Sequence, residues 1–355
     1  MDTRLSEIQQ ELVAAANAAL EKHADIDTID ATVALSGGYD VRLYALFVEL
    51  GWTFLGFETD EESTLVELGL VVERLGYFGV PTPLRAVMSS ANLVARAGGA
   101  EAALLEQISE GAIVVVVDAT RGVDRPRLVE WASAASVLVV ATQDGDEVVV
   151  RAVDAASVRI DPVPVFDAER TDEVLGAGAD GEEIGRLTQA DWQEWRAVDR
   201  LLRAADILGA ARRSLDLTVQ NAKTRNQFGR PIGAFQAVQH RAADMRLDIE
   251  ATSLLVWSGL WRAAHGHDTI RTSLMAAWQA SEAGERVSKD AVQLHGGVGF
   301  IKEYPLHHFY RRTKAQRLRF GASRDLLREL GSAVLTAARE GDFRERFVDW
   351  PESSE

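Results

Sequence analysis

Arg225-Asn226-Gln227-Phe228-Gly229-Arg230-Pro231-Ile232-Gly233, followed by Phe235-Gln236-Ala237-Val238-Gln239-His240, breaks a long helical sequence in two. Trp195 to Lys223 on one side and Phe235 to Ala264 on the other are long enough for bundle helices, and Thr269 to Leu294 supplies a third. Thr188 reads as the N-cap of the first, with Asp191 in its first turn, where negative charge suits the helix dipole. A further helix is expected from about Ala322 to Arg339. The break thus sits at helix termini, where main-chain amides and the Arg225 guanidinium can converge on an anion. A second cluster, Gln293-Leu294-His295-Gly296-Gly297-Val298-Gly299-Phe300, closes the third helix and leads into Glu303-Tyr304-Pro305 and Arg311-Arg312. Glycines directly behind a helix let the backbone approach a ligand closely. Each cluster alone has a plainer reading, as a glycine C-cap or as an arginine facing solvent.

Outward from this core the pattern changes. Ile113 to Val117, Ser136 to Val140 and Val148 to Val150 are short β-branched runs, and Asp144-Gly145-Asp146 between the last two is a hairpin signal. Strands are expected to continue through Val158-Arg159-Ile160 and then give way to an acidic, glycine-rich linker, Asp167 to Gly185. The first third reads as helices: Leu5, Ile8, Leu12 and Val13 recur at helical spacing, as do Leu43, Leu46, Phe47 and Leu50 before Gly51. Leu65 to Gly76, Ala86 to Ala97 and Glu101 to Ser109 add three more. The expected fold is mainly α: an N-terminal helical domain (1–110), a reduced β domain (111–185), a C-terminal four-helix bundle (186–341) and an acidic tail (342–355).

Composition narrows the function classes. The 355 residues carry 38 Lys and Arg against 54 Asp and Glu, a net charge of −16, which argues against nucleic acid and anionic membrane as partners. No stretch approaches the length of a transmembrane helix and the first residues do not resemble a signal peptide, so a cytoplasmic protein is expected. With no cysteine, thiolate chemistry, disulfides and cysteine metal sites are excluded. His307-His308 lack a carboxylate at ligand spacing and read as surface residues, so no metal is expected. Trp192, Trp195, Trp257, Trp261 and Trp278 fall at spacings suited to packing.

Taken together and in order, the two clusters resemble the acyl-CoA dehydrogenase family. Its Arg-x-x-Phe-Gly appears as Arg225, Phe228 and Gly229, its following glutamine as Gln236, and its Gln-x-x-Gly-Gly-x-Gly as Gln293, Gly296, Gly297 and Gly299, before Tyr304-Pro305. Leu46 to Phe57 and Leu65 to Pro83 look like the family's N-terminal helices. The resemblance implies a flavoenzyme that desaturates a CoA thioester: a carboxylate removes the α proton while hydride leaves the β carbon for FAD. In the family FAD is shared across a subunit interface. Carried over, Arg225 would pair the pyrophosphate, Phe228 would pack on the cofactor, Gln236 belongs to the same motif, and Gln293 with the backbone of Gly296 and Gly297 would contact the ADP portion. His240 and His295 stand beside these motifs, either as FAD contacts or as satisfied histidines.

The departures from the family pattern shape the expectation. Many members carry the base in a Tyr-Glu-Gly-Thr run; here Arg319-Phe320-Gly321-Ala322-Ser323 stands there, and the benzyl group of Phe320 cannot accept a proton. Others place the glutamate on the first bundle helix, where Asp199 is the one candidate, with a helix carboxylate in solvent as the plainer reading. The usual Thr-Glu-Pro and Gly-Ser-Asp segments have no counterpart between Gly111 and Val165, and Phe57-Glu58-Thr59-Asp60-Glu61-Glu62 replaces a Gly-Gly loop. Shortened, base-less chains of this kind resemble partner subunits of actinobacterial heterotetrameric acyl-CoA dehydrogenases that act on steroid side chains. The resemblance implies an α2β2 complex with a catalytic subunit, an acyl-CoA substrate and an electron-transfer acceptor. Two alternatives stay open: a homomeric dehydrogenase with Asp199 as base, and a flavin-free structural or regulatory helical protein.

Overall fold

The computed structural model describes residues 5–56, 65–98, 101–122, 125–177 and 181–341; the expectations for the Phe57 to Glu62 loop and the 342–355 tail lie outside these. The chain divides into two compact units, one of Met1–Ile26, Gly69–Val80 and Arg200–Glu355, the other of Asp27–Leu68 and Pro81–Asp199.

Helices come first in the chain: α1 (Glu7–Leu20), α2 (Ile26–Val33), α3 (Val41–Glu49), α4 (Leu65–Phe78), α5 (Leu84–Ala97) and α6 (Glu101–Ser109). Strands follow as β1 (Val114–Asp118), β2 (Arg127–Glu130), β3 (Val137–Asp144), β4 (Glu147–Asp154), β5 (Arg159–Pro162), β6 (Thr171–Leu175) and β7 (Glu182–Thr188). One sheet has the order β1-β3-β4-β7, with β1 parallel to β3 and the rest antiparallel; the other, β2-β6-β5, is antiparallel throughout. The valines of β1 are largely buried and the strand packs against α5, an environment that suits β-branched side chains. A two-residue turn joins β3 to β4, with Gly145 at φ +59°. Gly185 is needed where β7 meets the end of α5, since a Cβ there would lie 2.2 Å from the Ala97 carbonyl oxygen.

Within the expected linker from Asp167 to Gly185 the chain instead forms β6 and the first part of β7. Two acidic residues of this segment are buried with distant partners. Asp172, fully buried, accepts from the Ser133 amide and hydroxyl at 2.8 Å each, and Glu169 accepts from the Trp131 indole at 2.9 Å. Those partners lie 38 and 39 residues away, beyond any local pattern.

The bundle unit is built on α7 (Gln189–Thr224) from Arg200 onward, α8 (Gln236–Ala264), α9 (Ile270–His295), α10 (Leu306–Arg319) and α11 (Ser323–Glu340), with the short hairpin β8 (Asn226–Gln227) and β9 (Arg230–Pro231) after α7. The Thr188 hydroxyl accepts from the Asp191 amide at 3.1 Å, as an N-cap should. Leu208 and Leu215 of α7, Met245 and Ile249 of α8, Val287 of α9 and Phe309 of α10 share one core, while α11 packs on α9. The fourth core helix is therefore α10, which sequence periodicity leaves unread because arginines and histidines dominate it. His308 on it is buried, not on the surface as expected, because its helix face turns inward between Leu306 and Phe309. Trp192 and Trp195 are buried and stacked at 4.7 Å.

Two glycines set how closely α4 approaches α7 within this unit. A Cβ on Gly209 would lie 1.9 Å from the Glu73 carbonyl oxygen, and one on Gly76 2.1 Å from that of Asp206. Both collisions are with main chain, so neither is relieved by a rotamer change. Gly209→Ala is expected to lower stability by about 3 kcal/mol through overpacking. The urea midpoint measures this, and an unchanged midpoint would show that the helices can separate freely.

Candidate functional site

The hairpin after α7 owes its shape to Phe228 at φ +54° and Gly229 at φ +78°, two successive left-handed residues joining β8 to β9. A non-glycine residue in that region is uncommon and is held here by the hairpin pairing. It leaves Phe228 91% exposed, its ring set edge-to-face with Phe235 at 6.0 Å. Arg230 lies over the Phe235 ring, its guanidinium 4.3 Å from the ring centre. Gln236 opens α8 on an exposed face directly after Phe235, and His240 is exposed one turn on.

Arg225 precedes the hairpin and is half-buried. Its carbonyl accepts from the Ile232 amide at 2.9 Å, which closes the loop. Its Nη1 donates to the main-chain carbonyl of His295 at 2.6 Å. That bond ties the first cluster to the second although 70 residues separate them. Among the described residues the rest of the guanidinium fork has no hydrogen-bond partner. Gln293 lies exposed in the last turn of α9. Gly296 takes φ +63° and ψ −139°, a conformation open in practice only to glycine. A Cβ at Gly296 would stand 3.6 Å from Arg225 Nη1, whereas at Gly297 it would meet nothing within 4 Å. Gly297 is therefore not required by packing within the chain; bare backbone there suits a ligand that comes close. The structure thus joins Arg225 to the Gln293–Gly297 segment and sets Phe228 and Gln236 on the neighbouring hairpin and helix start.

His295 is fully buried and satisfied within the chain: Nδ1 meets the Ala291 carbonyl at 2.7 Å and Nε2 meets the Tyr304 hydroxyl at 3.0 Å. Burial pushes its pKa below the ordinary 6.5, and the charge of Arg225 acts in the same direction against the carbonyls of Ala291 and Leu217.

The residues considered for proton transfer lie elsewhere. Phe320 follows α10 and packs on an apolar cluster with Leu274, Ala277 and Leu326. Asp199, with a side chain 24% exposed, is not simply a solvated helix carboxylate: its Oδ1 accepts from the Ser89 hydroxyl at 2.8 Å and faces Arg85 Nη1 at 3.5 Å. Arg85 in turn pairs with Glu130. Arg85, Glu130, Glu169 and Asp172 form buried polar contacts in the sheet unit that motif reading missed. No group of three or more potential metal ligands occurs among the described residues.

Comparison with known proteins bears directly on this arrangement. The family model for the acyl-CoA dehydrogenase C-terminal domain matches residues 194–335, which include both clusters. The acyl-CoA dehydrogenase IpdE2 of Mycolicibacterium smegmatis is 32% identical over 92% of this chain and 98% of its own length. The chain belongs to the acyl-CoA dehydrogenase family. That family consists of flavoprotein oxidoreductases, and its members bind FAD. The fold agrees throughout. The Tcur3481-Tcur3483 steroid ACAD superposes with a TM-score of 0.86 at 24% identity, covering 94% of this chain and 99% of that one. The ChsE4-ChsE5 complex from Mycobacterium tuberculosis gives 0.84 at 24% identity over the same shares. The residues here fit such a cofactor: an unfilled guanidinium fork for a diphosphate, bare glycine backbone and an exposed amide for the nucleotide, and an exposed aromatic ring. Among the described residues no helix is long and apolar enough to cross a membrane.

Proposed function

We propose that this chain is the base-less subunit of a heteromeric FAD-dependent acyl-CoA dehydrogenase, contributing the ADP and pyrophosphate half of a flavin site to a catalytic partner in an α2β2 complex. One asymmetry carries the reading. The nucleotide-facing cluster around Arg225 and Gly296 is assembled and open, while the position that should hold a general base is Phe320, partly buried against an apolar cluster. A hydrocarbon ring cannot accept the α proton, and loss of a general base removes about 10²–10⁴-fold of rate. FAD, when bound, supplies the hydride acceptor. Arg225 then holds the diphosphate, Gln236, Gln293 and the backbone of Gly296 and Gly297 hold the nucleotide, and Phe228 covers the cofactor. The partner supplies the carboxylate.

Asp199 fits a clamp better than a base, because Ser89 and Arg85 already occupy its Oδ1. The substrate is proposed to be a bulky CoA thioester, such as one with a steroid side chain, since a structural neighbour is a steroid ACAD and another is a two-component complex. An electron-transfer protein would reoxidise the flavin.

Production of the chain alone is expected to give colourless protein. Co-production with a full-length acyl-CoA dehydrogenase encoded beside it, one retaining the Tyr-Glu-Gly-Thr glutamate, is expected to give a yellow complex that acyl-CoA bleaches. A yellow homotetramer that bleaches without a partner would establish the homomeric alternative. Absence of flavin under both conditions would establish a structural protein.

A further inference from the structure

We propose that His295 is the positioning residue that couples the two cofactor clusters, its main-chain carbonyl setting Arg225 and its ring setting Tyr304. The inference rests on the reading of Arg225 as the diphosphate ligand and deepens it. The 2.6 Å bond from Arg225 Nη1 to the His295 carbonyl fixes one arm of the guanidinium and so aims the rest of the fork. The imidazole of the same residue is held at both ring nitrogens. A carbonyl can only accept, so the 2.7 Å contact with Ala291 places the proton on Nδ1. The neutral ring then presents Nε2 as an acceptor, and the Tyr304 hydroxyl donates to it at 3.0 Å. The Tyr304 ring lies 5.0 Å from the imidazole and belongs to the segment after the glycines. His295 therefore ties the end of α9, the loop following Gly296 and Arg225 into one unit. The ring is fully buried with both nitrogens engaged, which restrains the residue whose carbonyl holds Arg225.

Protonation breaks this arrangement. An imidazolium would turn Nε2 into a donor and force Tyr304 to accept, in a site already facing the charge of Arg225, with Arg213 near Tyr304 and the Leu217 carbonyl on α7 as the remaining polar neighbours. Because the folded-state pKa is lowered, the unfolded chain takes up the proton first. The stabilising effect is complete above pH 6.5 and is lost as pH falls from there through the folded-state value.

The test is FAD affinity in the complex with the partner subunit, measured by flavin fluorescence at about pH 7.5 and about pH 5.5, alongside thermal melting. Wild type should release FAD more readily at the lower pH. His295→Asn keeps a donor for Ala291 but offers Tyr304 no acceptor and does not titrate; it should weaken FAD about tenfold at the higher pH and flatten the pH dependence. Tyr304→Phe, which removes one hydroxyl and keeps the ring, should also weaken FAD by about tenfold and serves if the histidine variant does not fold. Wild-type affinity in both variants, with Arg225→Ala weakened, would overturn the positioning role alone. A loss that leaves the pH slope intact in His295→Asn would also overturn it. Unchanged affinity in Arg225→Ala would overturn the cofactor reading beneath it.

Discussion

Arg225→Ala is expected to raise the dissociation constant for FAD in the assembled complex about a hundredfold, close to 3 kcal/mol. The size follows from the surroundings. A protein of net charge −16 repels a diphosphate at long range, so recognition has to come from local, charge-assisted hydrogen bonds. Arg225 is half-buried, and one arm of it is already fixed on His295, so little side-chain entropy is lost when the rest of the fork engages a ligand. Arg225→Lys keeps the charge but loses the fork, and should fall between wild type and alanine. Fluorescence titration of the reconstituted complex measures both. Full flavin content and unchanged affinity in the alanine variant would remove this residue from the site.

Asp206→Ala is expected to destabilise the bundle unit by about 3–5 kcal/mol, a large part of a typical folding free energy. Arg312 on α10 donates to both oxygens of Asp206 on α7, Nε to Oδ1 at 2.6 Å and Nη2 to Oδ2 at 2.8 Å, with side chains only 6% and 1% exposed. Removing the carboxylate would leave a guanidinium buried without its main counter-charge, which costs more than the pair itself contributes. Replacing both residues, as Asp206→Leu with Arg312→Met, should recover most of the loss. Thermal melting checks this; a single variant that melts with wild type, or a double variant no better than the single, would show that the pair does not hold α10 to α7.

Much of the fold was legible because local patterns carried it. Long helical runs, valine-rich strands and the Asp144-Gly145-Asp146 turn appear where periodicity and turn chemistry place them. Elements held by distant partners were not legible. β6 looks like acidic linker until Ser133 and Trp131 reach it, and α10 looks too polar for a core until Asp206 neutralises Arg312. The site divides the same way. Arg225, Phe228, Gln293 and Gly296 were visible as motif residues, but the bond joining Arg225 to the end of α9, and the second bonding partner of His295, depend on tertiary contact.

By itself the sequence determined the helix, strand and helix order, the absence of cysteine chemistry, and the hydrocarbon side chain at Phe320. Each of these follows from residue identity or short-range spacing. Only the tertiary structure decided which charged residues are interior, that Asp199 is clamped by Ser89 and Arg85, and that one histidine joins two clusters 70 residues apart. The physical reason is that a buried charge or a committed imidazole is stabilised by its partners, and those partners come from elsewhere in the chain.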